Sequence, residues 1–134
     1  IANCFAQNEV DEIWITFPDP QKNKNRRRKR LTNKLFLTRY KEFLKPDGKM
    51  RLKSDSTFFY EFTKEIISEK NLEVLFDCDD IYNKYIPQNP NSQLTKELSL
   101  KTFYENMWLE NGKTIKYIEY SLANLKIEKD ERLF

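Results

Sequence analysis

The chain has 134 residues and a net charge of +3, from 24 basic and 21 acidic residues, and it contains no histidine. Without histidine there is no Ser-His triad, Cys-His dyad or histidine-based zinc centre, and Cys4 and Cys78 lack the spacing of a metal-binding pair. No apolar run approaches the roughly 20 residues that a membrane span needs, and two isolated thiols favour a reducing, cytoplasmic location.

The first predicted element is a buried strand from Glu12 to Phe17, a short run of β-branched and aromatic residues. Pro18 and Pro20 end this strand and enclose Asp19. Each proline fixes its own φ and restricts the residue before it, so the backbone around Asp19 is preset. A carboxylate held in this way is positioned for chemistry, although a strand-ending turn with an exposed Asp is the simpler alternative.

An exposed basic loop is predicted over residues 21–31. Seven of the nine residues from Lys22 to Arg30 are basic, and the window from Pro20 to Lys41 holds ten Lys or Arg and no acid. The rest of the chain has 14 basic and 21 acidic residues, so the positive charge is local. This pattern favours contact with nucleic-acid phosphates, while a solvated loop and a targeting signal are the alternatives. Because no aromatic residue interrupts it, the loop is expected to position RNA and not to read bases.

Helices and strands alternate along the rest of the chain. In chain order, the prediction begins with a helix capped by Thr32 and ending in a turn at 45–48, a strand over 49–53, and a helix that Phe59, Phe62 and Ile66 mark to about Lys70. It continues with a strand over 72–76, an irregular stretch over 82–93, a helix capped by Ser99 and ending at Gly112, and a strand over 114–122. This order predicts an α/β domain with a mostly parallel sheet.

Ligands of such sheets bind beyond the carboxyl ends of the strands. Asp19 follows the first predicted strand and Asp55 follows the second, so both should lie at this edge. Thr102 and Glu105 are i, i+3 neighbours and share one helix face. Helix capping by Asp55 and a solvated face for the Thr102–Glu105 pair are the alternatives.

Three segments resemble the bacterial tRNA (guanine-N7)-methyltransferases. They are Ile15-Thr16-Phe17-Pro18-Asp19-Pro20 with the basic run behind it, Lys53-Ser54-Asp55, and Thr102-Phe103-Tyr104-Glu105 with Gly112 and Ile115 downstream. Their order and spacing agree with that family across nearly the whole chain. The chain departs from the family pattern at Gln21, Asn23 and Arg26, where Trp, Lys and His are usual, and these departures concern single RNA contacts.

The resemblance implies a Rossmann-like class I methyltransferase sheet, S-adenosylmethionine as cofactor and 7-methylguanine in the tRNA variable loop as product. Residues 1–134 would form a single partial domain, the C-terminal half, with strands four to seven in the order 4-5-7-6 and the last strand antiparallel. Its apolar strand over 13–15 would then be an open edge. The half that grips the adenosine would be absent, so these residues alone should bind the cofactor poorly and be inactive.

The resemblance also implies roles for single residues. Asp19 would be the catalytic aspartate beside the methyl group of the cofactor, which Thr102 and Glu105 would also contact. The substrate contacts that it implies are Asp55, Thr102, Phe103, Tyr104 and Glu105 around the guanine, and Lys22, Lys24, Arg26, Arg27, Arg28, Lys29 and Arg30 along the RNA backbone. The partner would be tRNA, with no metal and no membrane. A non-catalytic RNA-binding α/β module, which would keep the basic loop and not need Asp19, is the alternative function.

Overall fold

The structure, a computed structural model, describes residues 5–98 and 103–126. Its strands are β1 (Val10–Thr16), β2 (Leu44–Ser54), β3 (Val74–Cys78) and β4 (Lys116–Ser121), and its α-helices are α1 (Lys34–Phe43), α2 (Thr57–Glu69), α3 (Gln93–Leu98) and α4 (Phe103–Glu110). Short 3₁₀ helices cover Lys24–Lys29 and Ile86–Gln88, and a π-helical turn covers Ile81–Tyr85. Within the described ranges, no helix has the length and apolar character to cross a membrane.

The four strands form one mixed sheet in the order β1-β2-β4-β3. β1 pairs with β2 in parallel, and β4 is antiparallel to both β2 and β3. Three of the four strands therefore run in the same direction, and their carboxyl ends share one edge of the sheet, where β4 begins. The predicted α/β fold with an antiparallel last strand is confirmed, and β1 is an edge strand of the described sheet, as predicted.

One face of the sheet carries the main hydrophobic core. Successive side chains of a strand point to opposite faces, so Ile15, Leu52 and Ile118 lie on the same side, where α1 and α2 pack against them. A buried hydrogen bond of 2.8 Å joins the hydroxyls of Thr32 and Thr63 on this side.

The opposite face of the sheet is polar at its centre. The guanidinium of Arg51 lies over the ring of Trp14, with 4.8 Å between its central carbon and the ring centroid, and it pairs with Glu97 of α3. It also faces Glu12 at 3.1 Å and Glu119 at 3.6 Å. A smaller apolar cluster that includes Ile81, Leu98, Ile115 and Tyr117 lies on this side. Charge pairing therefore connects α3 to the sheet.

Two sequence-based predictions near α1 are wrong. The N-cap is Asn33, whose side chain accepts from the Lys34 N–H, because the Thr32 hydroxyl is already bonded to Thr63. The turn predicted at 45–48 lies inside β2, where the register against β1 shifts between Val10 and Glu12 and absorbs the extra residues. A Cβ on Gly48 would lie 2.7 Å from the Leu44 side chain, so this irregular stretch needs a glycine.

The second half of the chain follows the prediction less closely. The stretch predicted as irregular contains the π-helical and 3₁₀ turns, and it reaches the start of α3, which was not predicted. Ser99, the predicted cap, lies outside the described residues. Gly112 follows α4 with a φ of 78°, in the left-handed region that favours glycine, so the predicted end of this helix is confirmed.

Candidate active site at the carboxyl edge of the sheet

The turn that carries Asp19 continues directly from the β1–β2 ladder. Thr16 lies opposite Lys53, and the next N–H, from Phe17, donates to the Lys53 carbonyl at 2.8 Å. Phe17 and Gln21 enclose the Pro-Asp-Pro segment with φ angles of 50° and 49°. Non-glycine residues seldom adopt this left-handed region, and such backbone strain is concentrated at functional sites.

The Asp19 side chain is exposed, and its position is defined by the turn. Its Oδ1 accepts a hydrogen bond of 3.0 Å from the Gln21 N–H. This bond and the two flanking prolines restrict the conformations that the carboxylate can adopt. The sequence-based expectation of a preset Asp19 backbone agrees with this geometry.

Asp55 lies at the same edge, immediately after β2. Its carboxylate faces the Lys113 ammonium at 3.4 Å, and its carbonyl accepts from the Lys116 ammonium at 3.1 Å. Burial lowers the pKa of Lys116. The cap of α2 is Ser56, whose hydroxyl accepts from the Phe59 N–H, so the alternative reading of Asp55 as the helix cap is wrong. The Asp55 side chain is 20% exposed and remains accessible from the edge.

Glu105 of α4 lies behind this edge in a buried polar cluster. Its carboxylate pairs with Lys53 at 2.8 Å and accepts from the Tyr82 hydroxyl, and its exposed fraction is 0%. The Lys53 ammonium also donates to the Leu98 carbonyl at 2.8 Å. Burial and the bond to Glu105 raise the pKa of Tyr82. A solvated face, the alternative weighed for this helix, is therefore wrong for Glu105.

The side-chain positions of the other three residues of the third motif are not described. Thr102 lies outside the described residues, as do the side chains of Phe103 and Tyr104. Two residues of the polar cluster, Lys53 and Tyr82, were missed as site residues by the sequence analysis. Lys53 stands in the second motif and could have been suspected, whereas Tyr82 follows no pattern that places it against Glu105.

The basic residues divide into an exposed group and one buried member. The exposed ones are Lys22, Lys24, Arg26, Arg27, Arg28 and Lys29. Backbone and side-chain bonds shape this segment, including one of 2.6 Å from the Asn33 amide to the Arg27 carbonyl. A groove of about 330 Å³ between the segment and the helices is lined in part by Arg27, Arg28 and Lys34. The described residues include no cluster of His, Cys, Asp or Glu that could hold a metal ion.

Arg30 differs from the other basic residues because it is only 6% exposed. Its guanidinium lies over the rings of Phe58 and Phe62, at 4.8 and 4.6 Å from their centroids. Its Nε donates to the Gln21 carbonyl at 3.0 Å. No signal in a run of like charges distinguishes this arginine, so its separate environment comes from the tertiary structure.

Several curated proteins are similar to this chain over most of its length. The tRNA (guanine-N(7)-)-methyltransferase of Christiangramia forsetii is 48% identical over 123 residues, covering 91% of this chain and 52% of that protein. The proteins with the same name from Bacteroides thetaiotaomicron and Porphyromonas gingivalis are 46% and 43% identical, covering 91% and 95% of this chain and 45% and 49% of those proteins. The chain therefore spans about half the length of these relatives.

A solved structure, the geranyl diphosphate C-methyltransferase of Streptomyces coelicolor A3(2), superposes with a TM-score of 0.42 at 14% identity, over 87% of this chain and 49% of that chain. A sequence profile of the family described as "Putative methyltransferase" matches residues 1–118. That match includes the Pro-Asp-Pro turn, the basic segment, Asp55 and Glu105. The chain belongs to this methyltransferase family.

Proposed function

We propose that the protein transfers a methyl group from S-adenosylmethionine to N7 of a guanine in the variable loop of tRNA. The observation that carries the proposal is the rigid Pro-Asp-Pro turn at the carboxyl edge of the sheet, followed directly by an exposed basic segment. The name shared by the relatives supports it. A non-catalytic RNA-binding module would not account for the strained backbone of this turn.

We also propose a cytoplasmic location, where tRNA is available.

The basic segment is proposed to bind the RNA backbone. Six exposed Lys or Arg side chains lie between Lys22 and Lys29, and none of them is buried against the core. Arginine binds phosphate oxygens in pairs, and each neutralised phosphate adds affinity that decreases with salt. This segment would hold the tRNA so that the target guanine reaches the edge beside Asp19.

The target atom explains why the site needs no histidine. Guanine N7 has an in-plane lone pair, so it needs no deprotonation before it attacks, and transfer depends mainly on alignment. Positive charge grows on the guanine ring as the methyl group arrives. A fixed carboxylate such as Asp19 stabilises that charge, because its position is set before the reaction begins.

Asp55 is the proposed guanine-selecting residue. An accessible carboxylate can accept hydrogen bonds from guanine N1–H and the exocyclic amine, and adenine does not offer this pair of donors. From the resemblance, Glu105 was an equal candidate. Its complete burial and its bonds with Lys53 and Tyr82 favour a supporting position behind the edge.

The described residues fit one end of the proposed cofactor. S-adenosylmethionine supplies the methyl group when it is bound, and its cationic sulfonium suits an edge with the carboxylates of Asp19 and Asp55. By resemblance, Thr102 would contact the methionine part. Class I methyltransferases hold the adenosine with a glycine-rich turn that follows a strand. Gly48 lies within β2 and Gly112 follows α4, so neither forms such a turn, and we propose that the adenosine is not held by the glycines of these residues.

Replacing Asp19 with Asn in the full protein tests this proposal. The variant keeps the size of the side chain and removes its charge, so turnover should fall about 100-fold, while the Kd for tRNA stays within about twofold because the phosphate-binding cations are unchanged. Methyl incorporation into unmodified tRNA, nucleoside mass spectrometry and filter binding measure these quantities.

The matched control is Asp47→Asn. Asp47 is also exposed and also follows a proline, but it lies near the amino end of β2, away from the proposed site. Its replacement should leave turnover unchanged. If Asp19→Asn weakened tRNA binding and left turnover intact, the role of Asp19 would be wrong. If the unaltered protein formed no 7-methylguanine, the proposed function itself would be wrong.

A further inference from the structure

We infer that Arg30 is a positioning residue for Asp19 and not one of the RNA-contacting cations; this inference rests on the proposed function. Two hydrogen bonds link the residues through Gln21. The Arg30 Nε donates to the Gln21 carbonyl at 3.0 Å, and the Gln21 N–H donates to the Asp19 Oδ1 at 3.0 Å. Arg30 therefore restrains Gln21, and the Gln21 N–H in turn restrains the Asp19 carboxylate.

Gln21 needs such an external contact because of its backbone conformation. Its φ of 49° lies in the left-handed region, where the Cβ of an L-residue comes too close to the following carbonyl oxygen. A glycine, which has no Cβ, would avoid this close contact, whereas glutamine does not. The charge-assisted bond from Arg30 favours the strained conformer, since a relaxed Gln21 would move its carbonyl away from the guanidinium.

Arg30 is itself held by α2. The guanidinium lies 4.8 Å from the Phe58 centroid and 4.6 Å from the Phe62 centroid, and the side chain is 6% exposed. A lysine ammonium would not reproduce both these ring contacts and the directed Nε–H bond to the Gln21 carbonyl. Because α2 begins two residues after Asp55, Arg30 connects the turn of Asp19 to the helix that follows Asp55.

Burial argues against a phosphate contact for Arg30. The neighbouring cations from Lys22 to Lys29 are exposed, whereas the Arg30 guanidinium is covered by two aromatic rings and donates to a backbone carbonyl. A phosphate would have to displace these contacts. The charge run therefore contains two kinds of residue: exposed cations for RNA and one buried cation for the turn.

Arg30→Lys tests the inference, because it keeps the charge and loses the planar fork. We expect kcat for tRNA methylation to fall at least tenfold, while the Kd for tRNA stays within twofold and the salt dependence of binding is unchanged. The matched control is Arg39→Lys. Arg39 also lies over a phenylalanine ring, 5.6 Å from the Phe36 centroid, but it is exposed and bonds to no residue of the turn. Its replacement should change neither kcat nor Kd by more than twofold.

Two further measurements separate positioning from a purely structural role. In an Asp19→Asn background, Arg30→Lys should lower the residual activity by less than twofold, because the group that it positions is gone. The amide proton of Gln21 should exchange with solvent at least tenfold faster in Arg30→Lys and at an unchanged rate in Arg39→Lys.

If Arg30→Lys does not fold, Phe62→Leu keeps the arginine, removes one of its two ring contacts and should lower kcat at least threefold at constant Kd.

The inference fails if Arg30→Lys raises the Kd more than twofold, or if the charge-removing change Arg30→Gln lowers the salt slope by about one, since either result identifies a phosphate contact. It also fails if the loss of kcat is the same with and without Asp19, or if Gln21 exchange does not change. These outcomes differ from failure of the proposed function, in which the unaltered protein would form no 7-methylguanine while the exchange measurement would still report on Arg30.

Discussion

The hydroxyl of Tyr120 is buried in the main core, and no atom of the described residues forms a hydrogen bond with it. An unsatisfied buried hydroxyl destabilises the folded state, so Tyr120→Phe should raise the free energy of unfolding by about 1 kcal/mol. In contrast, the Tyr117 hydroxyl donates to Glu119 at 2.8 Å, and Tyr117→Phe should lower it by about 1 kcal/mol. Urea denaturation followed by tryptophan fluorescence compares the two, and equal losses would contradict this account.

At the scale of elements, β2 organises the candidate site. It pairs with β1 on one side and β4 on the other, its Lys53 carbonyl receives the N–H of Phe17, and Asp55 follows its end. The Lys53 side chain pairs with Glu105 of α4, and both side chains are buried. One strand thus positions the turn that carries Asp19, the Asp55 carboxylate and helix α4.

This arrangement predicts that Glu105→Gln lowers the free energy of unfolding by more than a typical substitution of an exposed residue does. Removing one partner leaves the Lys53 charge buried without its carboxylate, which typically costs about 3–5 kcal/mol. Adding Lys53→Met should recover part of the loss, because the remaining charge is then removed as well. Urea denaturation of both single variants and the double variant measures the coupling, and strictly additive losses would show that the pair does not act as a unit.

At the scale of the whole molecule, buried tyrosines determine the response to alkaline pH. Burial raises the pKa of Tyr117 and Tyr120 above the ordinary value of 10.0. Above pH 10 the unfolded chain loses these protons and the folded chain keeps them, so stability falls as pH rises. These two groups contribute roughly 2.7 kcal/mol per pH unit to the slope. The pKa values of Tyr40, Tyr60 and Tyr82 are raised as well, so these tyrosines act in the same direction. Lys116, whose pKa burial lowers below 10.5, acts in the opposite direction up to that pH.

Urea denaturation between pH 9 and pH 11.5 checks this prediction. The fall should be clearest above pH 10.5, where Lys116 no longer opposes it. Tyr120→Phe should remove about half of the slope that these two tyrosines cause. A stability that does not change across this range would mean that both phenols ionise equally in the folded and unfolded chains.

Short-range patterns in the chain predicted most elements correctly. A short apolar run predicted β1, and alternation predicted β2 and β3. The spacing of Phe59, Phe62 and Ile66 predicted α2, and Gly112 predicted the end of α4. The errors occur where distant contacts override local preference. Thr32 bonds to Thr63 instead of capping α1, and residues 45–48 join β2 because β1 pairs beside them. No local pattern contains these long-range partners.

The candidate site likewise has parts that the sequence predicted and parts that it did not. Asp19 and Asp55 were predicted to share one edge because chain order and strand direction place them there, and the roles of these residues and of the basic run in catalysis stay proposals. Only three-dimensional contacts show Lys53 and Tyr82 beside Glu105. The same is true of Arg30 against the rings of Phe58 and Phe62.

The sequence by itself determined the α/β order of elements, the local positive charge and the preset backbone around Asp19, because these depend on periodicity, composition and proline geometry between near neighbours. Only the tertiary structure decided which charges are buried, which cation supports the turn and which carboxylate remains accessible. The physical reason is that burial and pairing depend on residues that are far apart in the chain and meet only when the sheet and its helices pack together.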